Sequence, residues 1–141
     1  MDLKRLEVYK IGIKPIDEEH FSCFIMLDEL EKALMSNTIT EDNINKSSIW
    51  LDFENKLKTH FQNEELLMES LNYPYVKEHK RQHVELLTKF YIIFSFNPSN
   101  INIHPQHIVD DFFNLLLEHI DHHDINYAAF IKECIKYGKH R

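Results

Sequence analysis

The sequence predicts an all-α protein, an up-and-down antiparallel four-helix bundle with an extended N-terminal arm and a short C-terminal helix. Three observations predict it. Only 2 glycines and 4 prolines occur in 141 residues, too few turn formers for many short strands. Apolar residues recur at three- and four-residue spacing through four long stretches, the period of helices with one buried face. The breaks between the stretches are short and polar, as neighbouring antiparallel helices require. Length gives a single domain, residues 1–141, with enough chain for a real core.

Residues 1–16, with Val8-Tyr9-Lys10-Ile11-Gly12-Ile13 closed by Pro15, read as the extended arm. Asp17 is the expected N-cap of the first helix, followed by Glu18 and Glu19 where the helix dipole favours them. That helix should reach about Asn37 and bury His20, Cys23, Phe24, Leu27, Leu30, Glu31 and Leu34. Residues 36–48 form a loop or loose helical entry, with Thr40 a candidate cap. The second helix, clear from Ile49, turns Trp50, Phe53, Leu57, His60, Phe61, Glu64, Leu67, Met68 and Leu71 inward. Asn72-Tyr73-Pro74 breaks the chain, and Pro74 suits the first turn of the third helix. Its buried stripe is Val76, His79, His83, Leu86, Leu87, Phe90, Ile93 and Phe94. After a loop from Asn97 to Pro105, the fourth helix presents Ile108, Phe112, Leu115, Leu116 and His119. Ile125 to Tyr137 is the short last helix, stopped by Gly138.

A net charge of -7 without a basic stripe argues against nucleic acid or an anionic membrane as partner. No apolar run forms a signal peptide or a membrane span, and Cys23 and Cys134 read as reduced thiols. The expectation is a cytoplasmic protein, and a monomer, since no extra exposed apolar face is evident. The anomaly is its 10 histidines.

His60 with Glu64, and His79 with His83, stand four apart and so share a helix face. Each pair can grip an ion, and two facing helices could enclose a metal centre. His20 and His119 face inward from the other two helices. Asp124 completes the set only if the helix is distorted, because five residues beyond His119 it would point about 140° away. A break across Asp121-His122-His123 is therefore predicted. Five imidazoles and two carboxylates exceed the needs of one ion. With both carboxylates and an oxide or hydroxide bridging two ions, one octahedral position stays open, where a small diatomic molecule could bind. Glu65 lies off the face as a solvated or outer carboxylate, and His104, His107, His122, His123 and His140 read as surface residues.

Ile11-Gly12-Ile13 with Ile16-Asp17-Glu18-Glu19-His20, then His60-Phe61-x-x-Glu64-Glu65 with Met68, Tyr73-Pro74 leading to His79-x-x-x-His83, and His119-Ile120-x-x-x-Asp124 together resemble the hemerythrin family in its bacterial single-domain form. The resemblance spans most of the chain and implies a non-haem di-iron centre that binds dioxygen reversibly. By that similarity His79, His83 and His119 hold one iron, His20 and His60 hold the other with its vacant site, and Glu64 and Asp124 bridge them. Phe24, Phe61, Leu116 and Ile120 are the expected walls of a dry pocket that slows autoxidation. Two departures border it: Cys23 where the family usually has leucine, and Leu115 where it commonly has tryptophan. One reading is that both alter oxygen access or autoxidation; the other, favoured for Cys23, is that the thiol is a small buried core residue.

Other classes share parts of this pattern. A ferritin-like oxidase would need Glu-x-x-His pairs and a zinc protease His-Glu-x-x-His, and the sequence has neither. Peroxidase- or ferroxidase-like chemistry at the same centre, and an oxygen- or nitric oxide-sensing module, are the alternatives to a non-enzymatic role in oxygen storage, transport or delivery.

Overall fold

The computed structural model describes residues 6, 7, 9–36, 47–95 and 105–138. The Thr40 cap, most of the 36–48 stretch, the loop beginning at Asn97, His104 and His140 lie outside them. Among the described residues the chain is all helix and turn, without a strand. The helices are α1 (Lys14–Met35), α2 (Ser48–Ser70), α3 (Val76–Ile93), α4 (Pro105–His119) and α5 (Ile125–Tyr137), with a π-helical segment, Ile120–Asp124, joining α4 to α5. Helix α1 packs against α2 and α4, and α3 against α2 and α4.

Contrary to expectation, the arm is not extended throughout. Residues 6, 7 and 9 lie in short 3₁₀ turns, with Leu6 and Ile11 buried in the core. Helix α1 begins four residues earlier than expected, from an N-cap at Ile13, with Pro15 inside its first turn. Proline suits that turn, because the N–H it lacks would have no helical partner. Asp17 is therefore not the cap. Its carboxylate folds back on the arm and accepts from the Ile11 N–H at 2.8 Å and the Gly12 N–H at 3.1 Å. Gly12 takes a φ of 87° there, which a glycine adopts without strain.

Ser47 caps α2, its hydroxyl accepting from the Trp50 N–H at 3.3 Å. The helix ends in a Schellman motif: the Asn72 N–H donates to Glu69 O at 3.1 Å and the Tyr73 N–H to Met68 O at 2.9 Å. Asn72 is left-handed, φ 57°. That motif uses Asn72 and Tyr73, so Pro74 falls in the turn ahead of α3 rather than in its first turn as expected. Asn72→Ala should lower stability by about 1 kcal/mol, and Asn72→Gly should not. Thermal melts check this: a fall of a few degrees is expected for alanine alone, and equal melting of both variants would count against a strained left-handed site.

The core has two ends. At one, Trp50 stacks on Phe90 with centroids 5.1 Å apart, and Phe53, Phe94 and Phe112 pack around Phe90. At the other, buried histidines and carboxylates replace the apolar residues.

Candidate metal centre

Helical spacing puts every ligand candidate where the sequence suggested. His20, His60, Glu64, His79, His83, His119 and Asp124 are all buried, Glu64 completely. Their donor atoms fall into two overlapping groups, Glu64, His79, His83, His119 and Asp124 in one, His20, His60, Glu64 and Asp124 in the other. Glu64 and Asp124 belong to both. Asp124 divides its oxygens: Oδ1 lies 3.0 Å from His79 Nε2 and 3.1 Å from His119 Nε2, while Oδ2 lies 3.1 Å from His20 Nε2. Glu64 Oε1 lies 2.9 Å from His60 Nε2 and 3.5 Å from His83 Nε2. The π-helical turn makes this possible. It carries one more residue per turn than an α-helix and brings Asp124 under His119, as the predicted distortion required.

Many of these atoms are buried without hydrogen-bond partners: Nε2 of His20, His79, His83 and His119, Glu64 Oε1 and both Asp124 oxygens. Unpaired buried polar atoms cost about 1–3 kcal/mol each, and a cation at their centre would satisfy them together. The cluster could hold a metal ion.

Without one, charge within the cluster resists burial. Burial opposes charge on His60, but Glu64 and the hydrogen bond to Glu19 outweigh it and push its pKa up to about 10. His20 is raised against the same penalty by the Asp124 and Glu64 carboxylates close to its Nε2. Glu64, though fully buried, is held well below the usual carboxylate range by the His60 charge and its imidazole hydrogen bonds.

Outer contacts orient the rings. His60 Nδ1 meets Glu19 Oε1 at 2.9 Å, and Asn63 Nδ2 donates to the same carboxylate at 3.3 Å. His83 Nδ1 meets Glu65 Oε2 at 2.6 Å, so Glu65 does border the site, and Phe61 stacks on the His83 ring at 4.0 Å. The Tyr127 hydroxyl donates to Glu64 Oε2. Carboxylates on Nδ1 hold the proton there and leave Nε2 free for an ion. The sequence pointed to neither contact: it placed Glu19 for the helix dipole and gave Tyr127 no role beyond lying in the last helix. A signal was present for Glu19: like Glu65, it is a carboxylate directly beside a ligand in sequence.

Against this cluster lies a cavity of about 10 Å³, measured for the centre of a water-sized sphere, room for one small molecule. Its non-ligand walls are Cys23, Phe24, Leu57, Phe61, Leu116 and Ile120, from α1, α2 and the α4–π segment, with nothing from α3. Leu115 does not line it. That side chain is half-buried, and Leu116 and Ile120 form the column that faces the cavity. Leu57, read only as core, takes a wall position. His107 and His122 are exposed as expected, whereas His123 is half-buried with its ring 5.3 Å from that of His119.

Burial pushes the Cys23 thiol up to about 12. It should therefore resist iodoacetamide at pH 8 in the folded protein and react once the chain unfolds, as mass spectrometry would read. Rapid labelling of folded protein would show that the cavity opens.

No family model, curated protein or solved structure matches the chain. No helix of the described residues is long and apolar enough to cross a membrane.

Proposed function

We propose that this chain is a hemerythrin-type protein of the bacterial single-domain form, binding dioxygen reversibly at a di-iron centre. One observation carries the reading: two ligand groups share Glu64 and Asp124, and the small cavity reaches both histidines of one group, His20 and His60, but only His119 of the three in the other. The group with only two histidines is the one with a position to spare. Imidazole and carboxylate donors without a thiolate suit iron, and two irons bound here would supply electrons that dioxygen takes up and returns.

The chain's own residues do the rest. Phe24, Leu57, Phe61, Leu116 and Ile120 exclude water, which favours release of the ligand over irreversible oxidation. Glu19 and Glu65 fix the tautomers of His60 and His83, and Tyr127 holds Glu64 in place. In this reading the four helices run up and down. Supporting that course, α2 and α3 meet at both ends of the core, through Trp50 with Phe90 and through Phe61 with His83.

The test is metal content with the optical spectrum of anaerobically reduced protein, before air, in air and after its removal. About two irons per chain and a charge-transfer band that comes and goes with oxygen are expected. Iron that oxidises without a reversible adduct would move the reading to a redox enzyme, and absence of paired iron would remove the di-iron centre.

A further inference from the structure

The small cavity has a larger neighbour. A pocket of about 600 Å³ lies between the N-terminal arm and α1, and it shares two walls with the cavity, His20 and Phe24. A side chain that lines two spaces stands between them. A second pocket, of about 480 Å³ beside His79, shares no residue with the cavity.

Of the two dividing side chains, His20 is held in the cluster, with Nε2 3.1 Å from Asp124 Oδ2. Phe24 is held by packing alone, edge-on to the half-buried Phe113 at 5.2 Å. Phe24 is therefore the movable partition, since a buried ring changes rotamer when its neighbours give a little room. The outer walls include Leu6, Tyr9 and Phe21. Among the charged groups of the pocket, Lys10 pairs with Glu7 at 2.8 Å, and Asp17 accepts from the arm's Ile11 and Gly12 N–H groups. That leaves Lys14 and Glu18, of opposite sign. The contact that pins the arm is thus part of the pocket itself.

We infer that the pocket under the arm is the antechamber through which small uncharged molecules reach the cavity, with Phe24 as its inner gate and the arm, pinned by Asp17, as its outer wall. The gate excludes charge. An ion passing between Phe24 and its apolar neighbours would shed its water without gaining a partner. The inference rests on the reading of the small cavity as the ligand's place and names the route to it; the route itself requires no iron.

Cys23 is the reporter, since it lines the cavity but not the pocket. The full chain is treated with methyl methanethiosulfonate, an uncharged reagent faster than iodoacetamide, or with its charged sulfonatoethyl analogue, and peptide mass spectrometry reads each thiol. Cys134, buried on α5 and lining neither space, reports on global unfolding. Slow labelling of Cys23 should outrun that of Cys134 with the uncharged reagent only. Asp17→Ala frees the arm and should speed the labelling of Cys23 about tenfold. Phe21 is exposed and lines the pocket alone, and Phe21→Trp, which narrows it, should slow that labelling about threefold. Cys134 should follow neither change. Labelling of Cys23 that keeps step with Cys134 in every protein, that ignores both substitutions, or that favours the charged reagent would overturn the proposal. The oxygen-cycling spectrum of the same sample reports separately on the di-iron reading, so either can fail alone.

Discussion

If the cluster holds two ions as proposed, Glu64→Gln is expected to remove both at once while leaving the helices folded. The substitution keeps the side chain's size and removes its charge. Glu64 is fully buried, belongs to both ligand groups, and faces His60, His83 and His20. A shared carboxylate lost from one group is lost from the other. Affinity at both positions should fall by about 100-fold or more, since even an outer partner such as Glu65 is worth about 10–100-fold. Metal analysis after dialysis, with circular dichroism as the control for folding, reads the result. His119→Ala removes a ligand from the three-histidine group only, and so should leave the other group part of its affinity. Retention of one tightly held ion by Glu64→Gln would mean that the carboxylate is not shared.

The second large effect is on stability. Binding to the native state alone stabilises by about 4 kcal/mol at a thousand times Kd, so stripping the metal with a chelator should lower the melting temperature by roughly 10–20 °C. The drop should depend on pH. His60 in the metal-free fold has its pKa raised to about 10, above the ordinary 6.5 of the unfolded chain. The stability this proton lends the metal-free fold is fully present below pH 6.5 and is lost as pH rises towards 10. The metal-loaded fold does not rely on that proton. Differential scanning calorimetry should therefore show the chelator-induced drop widening from pH 6.5 to 9, and a drop that narrows over this window would contradict the cause given for the shift.

The all-helical class and the buried cluster of histidines and carboxylates were legible because both obey one short-range rule. Residues three or four apart share a helix face, and His60, Glu64, His79 and His83 obey it within the apolar stripe of their helices. Even the broken rule was informative, since the fifth-residue spacing of His119 and Asp124 required the π-helical turn. What stayed illegible depends on contacts between elements. Asp17 could cap its own helix or reach back to the arm, and only the path of residues 11–13 decides. Glu19 meets His60 across 41 positions, and Tyr127 meets Glu64 across 63. Leu115 and Leu116 are adjacent in sequence, and which of them faces the cavity follows from where α1 and α2 sit. Periodicity locates a face but not its neighbour.

The extra residue in the 120–124 turn also sets the rotational phase of everything beyond it. Removing one residue there would restore an ordinary helix and rotate α5 by about 100°. Asp124 would swing off the cluster, and Tyr127, Ala128, Ile131 and Cys134, all buried now, would turn partly towards solvent. The carboxylate's position and the burial of the last helix thus depend on the same extra residue.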